Sequence, residues 1–228
     1  MIYITGDIHG RVEPVVDFII KHQIGSTDFM ILLGDVGLNY YGGIRDIVAK
    51  SAANSCGVPI LCIHGNHEMR PATIPTYQTK KWNGGDVWYE EKFPNLLFAK
   101  DGEIYTIDGK RFLVIGGAFS VDKDYRLANH FGWWADEQPD EETKKRVETI
   151  IKTQPVDYIL SHTCPFRYIP REMFLPFVDQ SRVDDSTERW LDRIEQSVSY
   201  KGWYCGHWHT DKRIDKMHFL FQTVEKIE

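Results

Sequence analysis

Five times along this chain a short apolar run ends in side chains of the kinds that bind metals, and that coincidence restricts the fold more than any other feature. Ile2–Thr5 runs into Gly-Asp7-Ile-His9-Gly, Phe29–Leu33 into Gly-Asp35, and Val58–His64 into Gly-Asn66-His67-Glu. Further on, Val156–Leu160 leads into Ser-His162, and Gly202–Cys205 into Gly-His207-Trp-His209. Short apolar runs closed by glycine or polar residues read as buried strands. Layered α/β folds gather ligands outside the carboxyl ends of their strands, where loops converge. The pattern therefore predicts strands whose ends meet at one site.

The segments between the clusters support an α/β class. Val12–His22 places Val12, Val15, Val16 and Ile19 on one helical face, and Gly43–Ser55 predicts a second helix, giving a β-α-β-α-β opening. Leu96–Ala99, Glu103–Ile107 and Arg111–Ile115 are separated by Asp101-Gly102 and Asp108-Gly109, which predicts a local antiparallel meander. Residues 118–138 are aromatic and charged without periodicity and are expected to rim a cleft. Glu141–Thr153 predicts a charged helix. Asp185-Ser-Thr-Glu188 has capping-box spacing and should start a helix through Glu195. Gly202–Cys205 and Met217–Thr223 close the chain as strands. With no repeat, low-complexity tract or linker, a single domain over 1–228 is expected.

Charge and cysteine usage narrow the function classes. Lys and Arg total 27 against 33 Asp and Glu, a net charge of -6. That balance predicts neither duplex nucleic acid nor an anionic membrane as partner. No apolar run approaches the roughly 18–20 residues of a membrane span. The start Met1-Ile-Tyr-Ile-Thr, followed closely by Asp7, leaves no room for a secretory apolar core. Cys56, Cys62, Cys164 and Cys205 form no CxxC pair and read as reduced, inert thiols, so a cytoplasmic location is expected.

The residue types point to chemistry. Imidazole, carboxylate and amide together suit divalent first-row metals (manganese, iron or zinc) and neither calcium's oxygen shell nor a thiolate zinc site. Alternation in Asp7-x-His9 and His207-x-His209 lets both members of each pair lean toward one centre. In this order, GDIHG, GD, GNHE, SH and GHWH resemble the calcineurin-like metallophosphoesterase superfamily, from Gly6 to His209. The resemblance implies a two-sheet β-sandwich flanked by helices, a four-layer αββα arrangement, holding two divalent metal ions. It implies that Asp7, His9 and His209 hold one ion, that Asn66, His162 and His207 hold the other, and that Asp35 bridges them. Paired ions of this kind activate a water for attack on a phosphate ester and clamp the phosphoryl group. His67 would act as the general acid that protonates the leaving alkoxide.

One departure from the pattern concerns substrate. The protein-phosphatase branch of that superfamily continues GD with a VDRG-like segment whose arginine grips phosphate, whereas here Asp35 is followed by Val-Gly-Leu-Asn-Tyr. Arg126 is the expected phosphate-binding arginine, with Arg11 and Arg70 as competitors, Arg70 also suiting a structural ion pair. Tryptophans 133 and 134 are expected to pack rather than stack a ligand. Two alternatives accompany the reading of a phosphorylated substrate: a phosphodiesterase or nuclease acting on nucleic-acid ends, and a non-catalytic scaffold of the same fold.

Overall fold

The computed structural model describes residues 1–227. Two mixed sheets stack face to face, with helices on both outer faces. The first contains β1 (Ile2–Thr5), β2 (Phe29–Leu32), β3 (Ile60–Cys62), β4 (Gln78–Trp82), β5 (Gly85–Tyr89) and β6 (Leu96–Ala99). The second contains β7 (Ile104–Ile107), β8 (Lys110–Ile115), β9 (Tyr158–Ser161), β10 (Gly202–Cys205), β11 (Lys212–Ile214) and β12 (Met217–Phe219). The last strand, β13 (Glu225–Ile227), returns to the first sheet and pairs antiparallel with β1. Strand order is β13-β1-β2-β3-β6-β5-β4 in one sheet and β11-β12-β10-β9-β8-β7 in the other. Each sheet has a parallel centre, β1-β2-β3-β6 or β8-β9-β10-β12, and antiparallel edges.

Period-two alternation explains the layering. Ile4, Ile31, Leu61 and Leu97 face the second sheet, where they meet Tyr105, Phe112, Val114, Leu160 and Tyr204. Their neighbours Met30, Leu32, Ile60 and Cys62 face outward, onto Val15 and Ile19 of α1 (Glu13–Lys21) and Ala53 of α2 (Ile44–Asn54). On the far side, Leu113, Ile159 and Trp203 pack under Val147 of α4 (Glu141–Thr153) and Trp190, Leu191 and Ile194 of α5 (Ser186–Ser197). A short α3 (Lys123–Ala128) lies in the 118–138 segment. Strands buried on both faces cannot alternate with polar residues, which is why the central runs are continuously apolar. No helix among the described residues is long and apolar enough to cross a membrane. The cysteines are all free thiols.

Two expectations are corrected. The predicted three-strand meander is divided between the sheets: β6 pairs parallel with β3, and only β7 and β8 form an antiparallel hairpin. All four β6 residues are buried, Leu96 and Phe98 toward the helices and Leu97 and Ala99 toward the other sheet, so β6 needs cover on both faces. The helix at Asp185 begins as expected but without a capping box. Arg189 takes both oxygens of Asp185, at 2.6 and 2.7 Å, and Glu188 turns inward to accept from Thr163 Oγ1 at 2.8 Å.

That inward turn carries a measurable penalty. Burial pushes the Glu188 carboxyl up to about 7 from its ordinary 4.5. The folded chain therefore holds this proton more tightly than the unfolded chain. The penalty is absent below pH 4.5, grows as pH rises and is complete above about 7. Glu188→Gln keeps an acceptor for Thr163 and removes the charge. Denaturation should show it stabilised by about 3 kcal/mol at pH 8 and little changed near pH 4.5. A gain that does not depend on pH would contradict this account.

Candidate metal centre

The two parallel centres deliver their carboxyl ends to one place. Asp7 follows β1, Asp35 follows β2 and Asn66 follows β3, while His162 follows β9 and His207 and His209 follow β10. With His9, these residues form one contiguous cluster that opens into a cleft. His209 Nε2 lies 3.3 Å from Asp7 Oδ2 and 3.0 Å from His9 Nε2. His162 Nε2 and His207 Nδ1 converge on Asn66 Oδ1, at 2.8 and 3.1 Å. Asp35 stands between these groups, with Oδ1 3.4 Å from His162 Nε2 and Oδ2 3.5 Å from His67 Nδ1.

One atom tests whether these residues fit a cation. Asp7 Oδ1 accepts the His207 backbone N–H at 2.8 Å, but Asp7 Oδ2 is buried without a hydrogen-bond partner. Buried carboxylate oxygens are seldom left bare. This one faces imidazole nitrogens of His9 and His209, a donor set that suits a divalent first-row metal. Electrostatics agree for most of the cluster. Burial, with His162 nearby, holds His207 well below its ordinary pKa, and burial lowers His9, leaving their rings neutral. Burial would raise Asp35, yet His162, His67 and His9 hold it well below the usual carboxylate range. The Asp7 carboxylate, 3.3 Å from its Nε2, raises His209.

The backbone explains the motif spelling. His9, Asp35, His207 and His209 have φ of 48, 45, 64 and 48°. This left-handed region costs a non-glycine residue of order 1–3 kcal/mol and admits Asn, Asp and His more readily than other types. Close approach accounts for two motif glycines. A Cβ at Gly65 would overlap Asp35, and one at Gly206 would overlap the Asp7 carboxylate.

Three contributors escaped the sequence reading. Glu68 accepts backbone N–H groups of Val36, Gly37 and Gly65 at 3.3, 3.2 and 3.0 Å, tying the loops after β2 and β3 together. Its place in GNHE was the available signal. Burial, with Asp35 adding, pushes it up to about 7. Ser120 Oγ accepts from Asn66 Nδ2 at 2.9 Å and so turns Asn66 Oδ1 toward the histidines. Asp122 places Oδ1 3.5 Å from His67 Nε2. Neither Ser120 nor Asp122 lies in a recognisable motif.

Arg126 sits against this group. Its Nε donates to Asp122 Oδ2 at 2.8 Å, Nη1 to Tyr40 Oη at 3.3 Å and to the Gly132 carbonyl at 2.9 Å, and Nη2 to His67 Nδ1 at 2.8 Å. Four of its five N–H groups are thereby engaged within the chain. Arg70 is held away, donating to Asp101 and to the Asp136 carbonyl, both at 2.6 Å. Trp133 donates to Glu137, and Trp134 packs edge-on against Tyr40. The 118–138 segment instead gives Phe119, Val121 and Asp122 to the cleft.

Comparison with known proteins agrees with this architecture. A solved structure from Thermus thermophilus, TT1561, superposes over 96% of this chain and 87% of its own with a TM-score of 0.52 at 12% identity. A second solved structure gives a TM-score of 0.54 at 11% identity, over 96% of this chain and 88% of its own. At such identities the likeness is one of fold. No curated protein matches the sequence significantly. The profile of one family, described as calcineurin-like phosphoesterase, matches residues 1–211. Since that match takes in both sheets' ligand-bearing loops, the chain belongs to the calcineurin-like phosphoesterase family of metal-dependent phosphoesterases.

Proposed function

We propose that this protein hydrolyses a phosphate ester at a binuclear centre, with Asp7, His9 and His209 holding one divalent cation, Asn66, His162 and His207 the other, and Asp35 shared. The observation that carries this reading is the position of Asp35 between two ligand groups, each of which takes residues from the strand ends of both sheets. Two such cations, of the manganese, iron or zinc kind, would supply charge neutralisation and an activated water for in-line displacement.

The chain's own residues handle the leaving group. A guanidinium only donates, so His67 Nδ1 accepts from Arg126 and the ring carries its proton on Nε2. To act as general acid His67 needs a second proton, which Nδ1 takes up once Arg126 Nη2 turns to another acceptor. The oxygens of a bound phosphate would be that acceptor, drawing Nη2 away from Nδ1. Asp35 and Asp122 flank the ring, each at 3.5 Å, and fix its orientation. Arg126 thus binds phosphate and readies His67 in one movement.

The cleft wall disfavours a nucleic-acid strand. Beyond Arg126 at the phosphate end, the cationic side chain lining it among the described residues is Arg171, beside Asp184 and Glu188. Protein stripped of metal and reloaded with Mn²⁺ should hydrolyse p-nitrophenyl phosphate, and bis(p-nitrophenyl) phosphate more slowly, with about two cations bound per chain at saturation. A single bound cation, or turnover unaffected by chelation, would overturn the proposal.

A further inference from the structure

Beyond the candidate ligands, the cleft is walled by apolar side chains. One wall carries Phe119 and Val121, from the loop after β8. The other carries Phe166, Ile169, Phe174 and Val183, from the connection between β9 and α5. Trp208 joins the wall between two candidate ligands, its indole stacked on Phe174 with ring centres 6.2 Å apart. The space is about 520 Å³ and continuous with Asp35, Asn66, His67, His207 and His209. That is the size of a small-molecule site, and apolar lining with a few polar groups at one end is how such sites are built. Apolar side chains continue outward as Val121, Met173 and Leu175, which are 42, 38 and 45% exposed.

Charge chooses among apolar occupants. Asp122 is neutralised by Arg126 and Asp185 by Arg189. Asp184 accepts from Gln138 and the Ser186 backbone and makes no ion pair among the described residues, with Lys144 acting on it only from a distance. A ligand with a second anionic group would meet Asp184, with Arg171 the one cationic side chain lining this part of the cleft among the described residues. The phosphate-binding end sits at the candidate ligands, so the apolar portion is the alcohol that leaves.

We infer that the cleft seats a bulky aromatic or alicyclic alcohol portion carrying no anionic group, so that the substrate is a small apolar phosphate ester. The inference rests on the phosphoesterase reading for the word substrate, and on the cleft alone for the chemistry of its occupant.

Binding and turnover separate the two. Calorimetry on the metal-free protein should show 2-naphthol binding about tenfold more tightly than phenol, the discrimination an apolar pocket gives for added hydrocarbon. The carboxylated analogue 6-hydroxy-2-naphthoate should bind more weakly than 2-naphthol. Phe174→Ala should collapse the naphthol-to-phenol ratio, and because both ligands are measured on one preparation a folding defect cancels from that ratio. With Mn²⁺ restored, 2-naphthyl phosphate should show a KM about tenfold below that of phenyl phosphate. Equal affinity for phenol and 2-naphthol, or preference for the carboxylated analogue, overturns the inference. Discriminating naphthol binding without hydrolysis of either ester overturns the phosphoesterase reading and leaves the occupant's chemistry standing.

Discussion

Asp35→Asn should lower turnover by about a thousandfold or more, some 4 kcal/mol of barrier, and should also reduce cation binding. Asparagine keeps the shape, and its Oδ1 can still accept the His67 backbone N–H that Asp35 Oδ1 takes at 2.8 Å. What it loses is the negative charge that stands between His162 on one side and His9 and His67 on the other. Elemental analysis should find fewer than two cations per chain, with one group of ligands retained. Normal turnover with full cation content would mean that Asp35 serves the loops and not the centre. A variant with unfolded circular dichroism is not expected, because both sheets keep their apolar cores.

His67→Ala should divide the chemistry differently. On esters with poor leaving groups turnover should fall by roughly 10²–10⁴-fold, the usual contribution of a positioned acid. On p-nitrophenyl phosphate, whose departing phenolate scarcely needs a proton, the loss should be much smaller. Cation content should hold, since His67 stands outside both proposed ligand triads. Equal losses on both kinds of ester would assign His67 to binding or to orienting Asp35, which its Nδ1 approaches at 3.5 Å.

The elements that sequence made legible are those whose burial forces a pattern. β1 and α4 fall where the apolar run and the helical period place them, at Ile2–Thr5 and Glu141–Thr153. The residues of the five motifs were legible because each follows a buried strand and, in every motif but Ser161-His162, stands beside a glycine. The hairpin of β4 and β5 was not anticipated. Gln-Thr-Lys-Lys-Trp is an exposed edge strand without alternation, and only Asn83-Gly84 marked its turn. α3 buries no residue fully and so leaves no period to find. The apolar cleft wall from Phe166 to Val183 stayed hidden for a related reason. Its side chains face a ligand space from irregular backbone and 3₁₀ turns, so neither helical nor strand spacing orders them. Its place beside the centre depends on where two sheets meet, which no local stretch encodes.

The left-handed backbone at His9, Asp35, His207 and His209 bears on how such a chain can change over evolutionary time. Two separate filters act at those positions: a cation selects nitrogen and oxygen donors, while the turn selects short polar residues or glycine. A descendant released from catalysis would still be held to His, Asp, Asn or Gly there by the second filter alone. Asp7, Asn66 and His162 do not share the left-handed backbone, so they answer mainly to the first. Decay of the activity should therefore be written first at those three positions, while His9, Asp35, His207 and His209 outlive the reaction they once served.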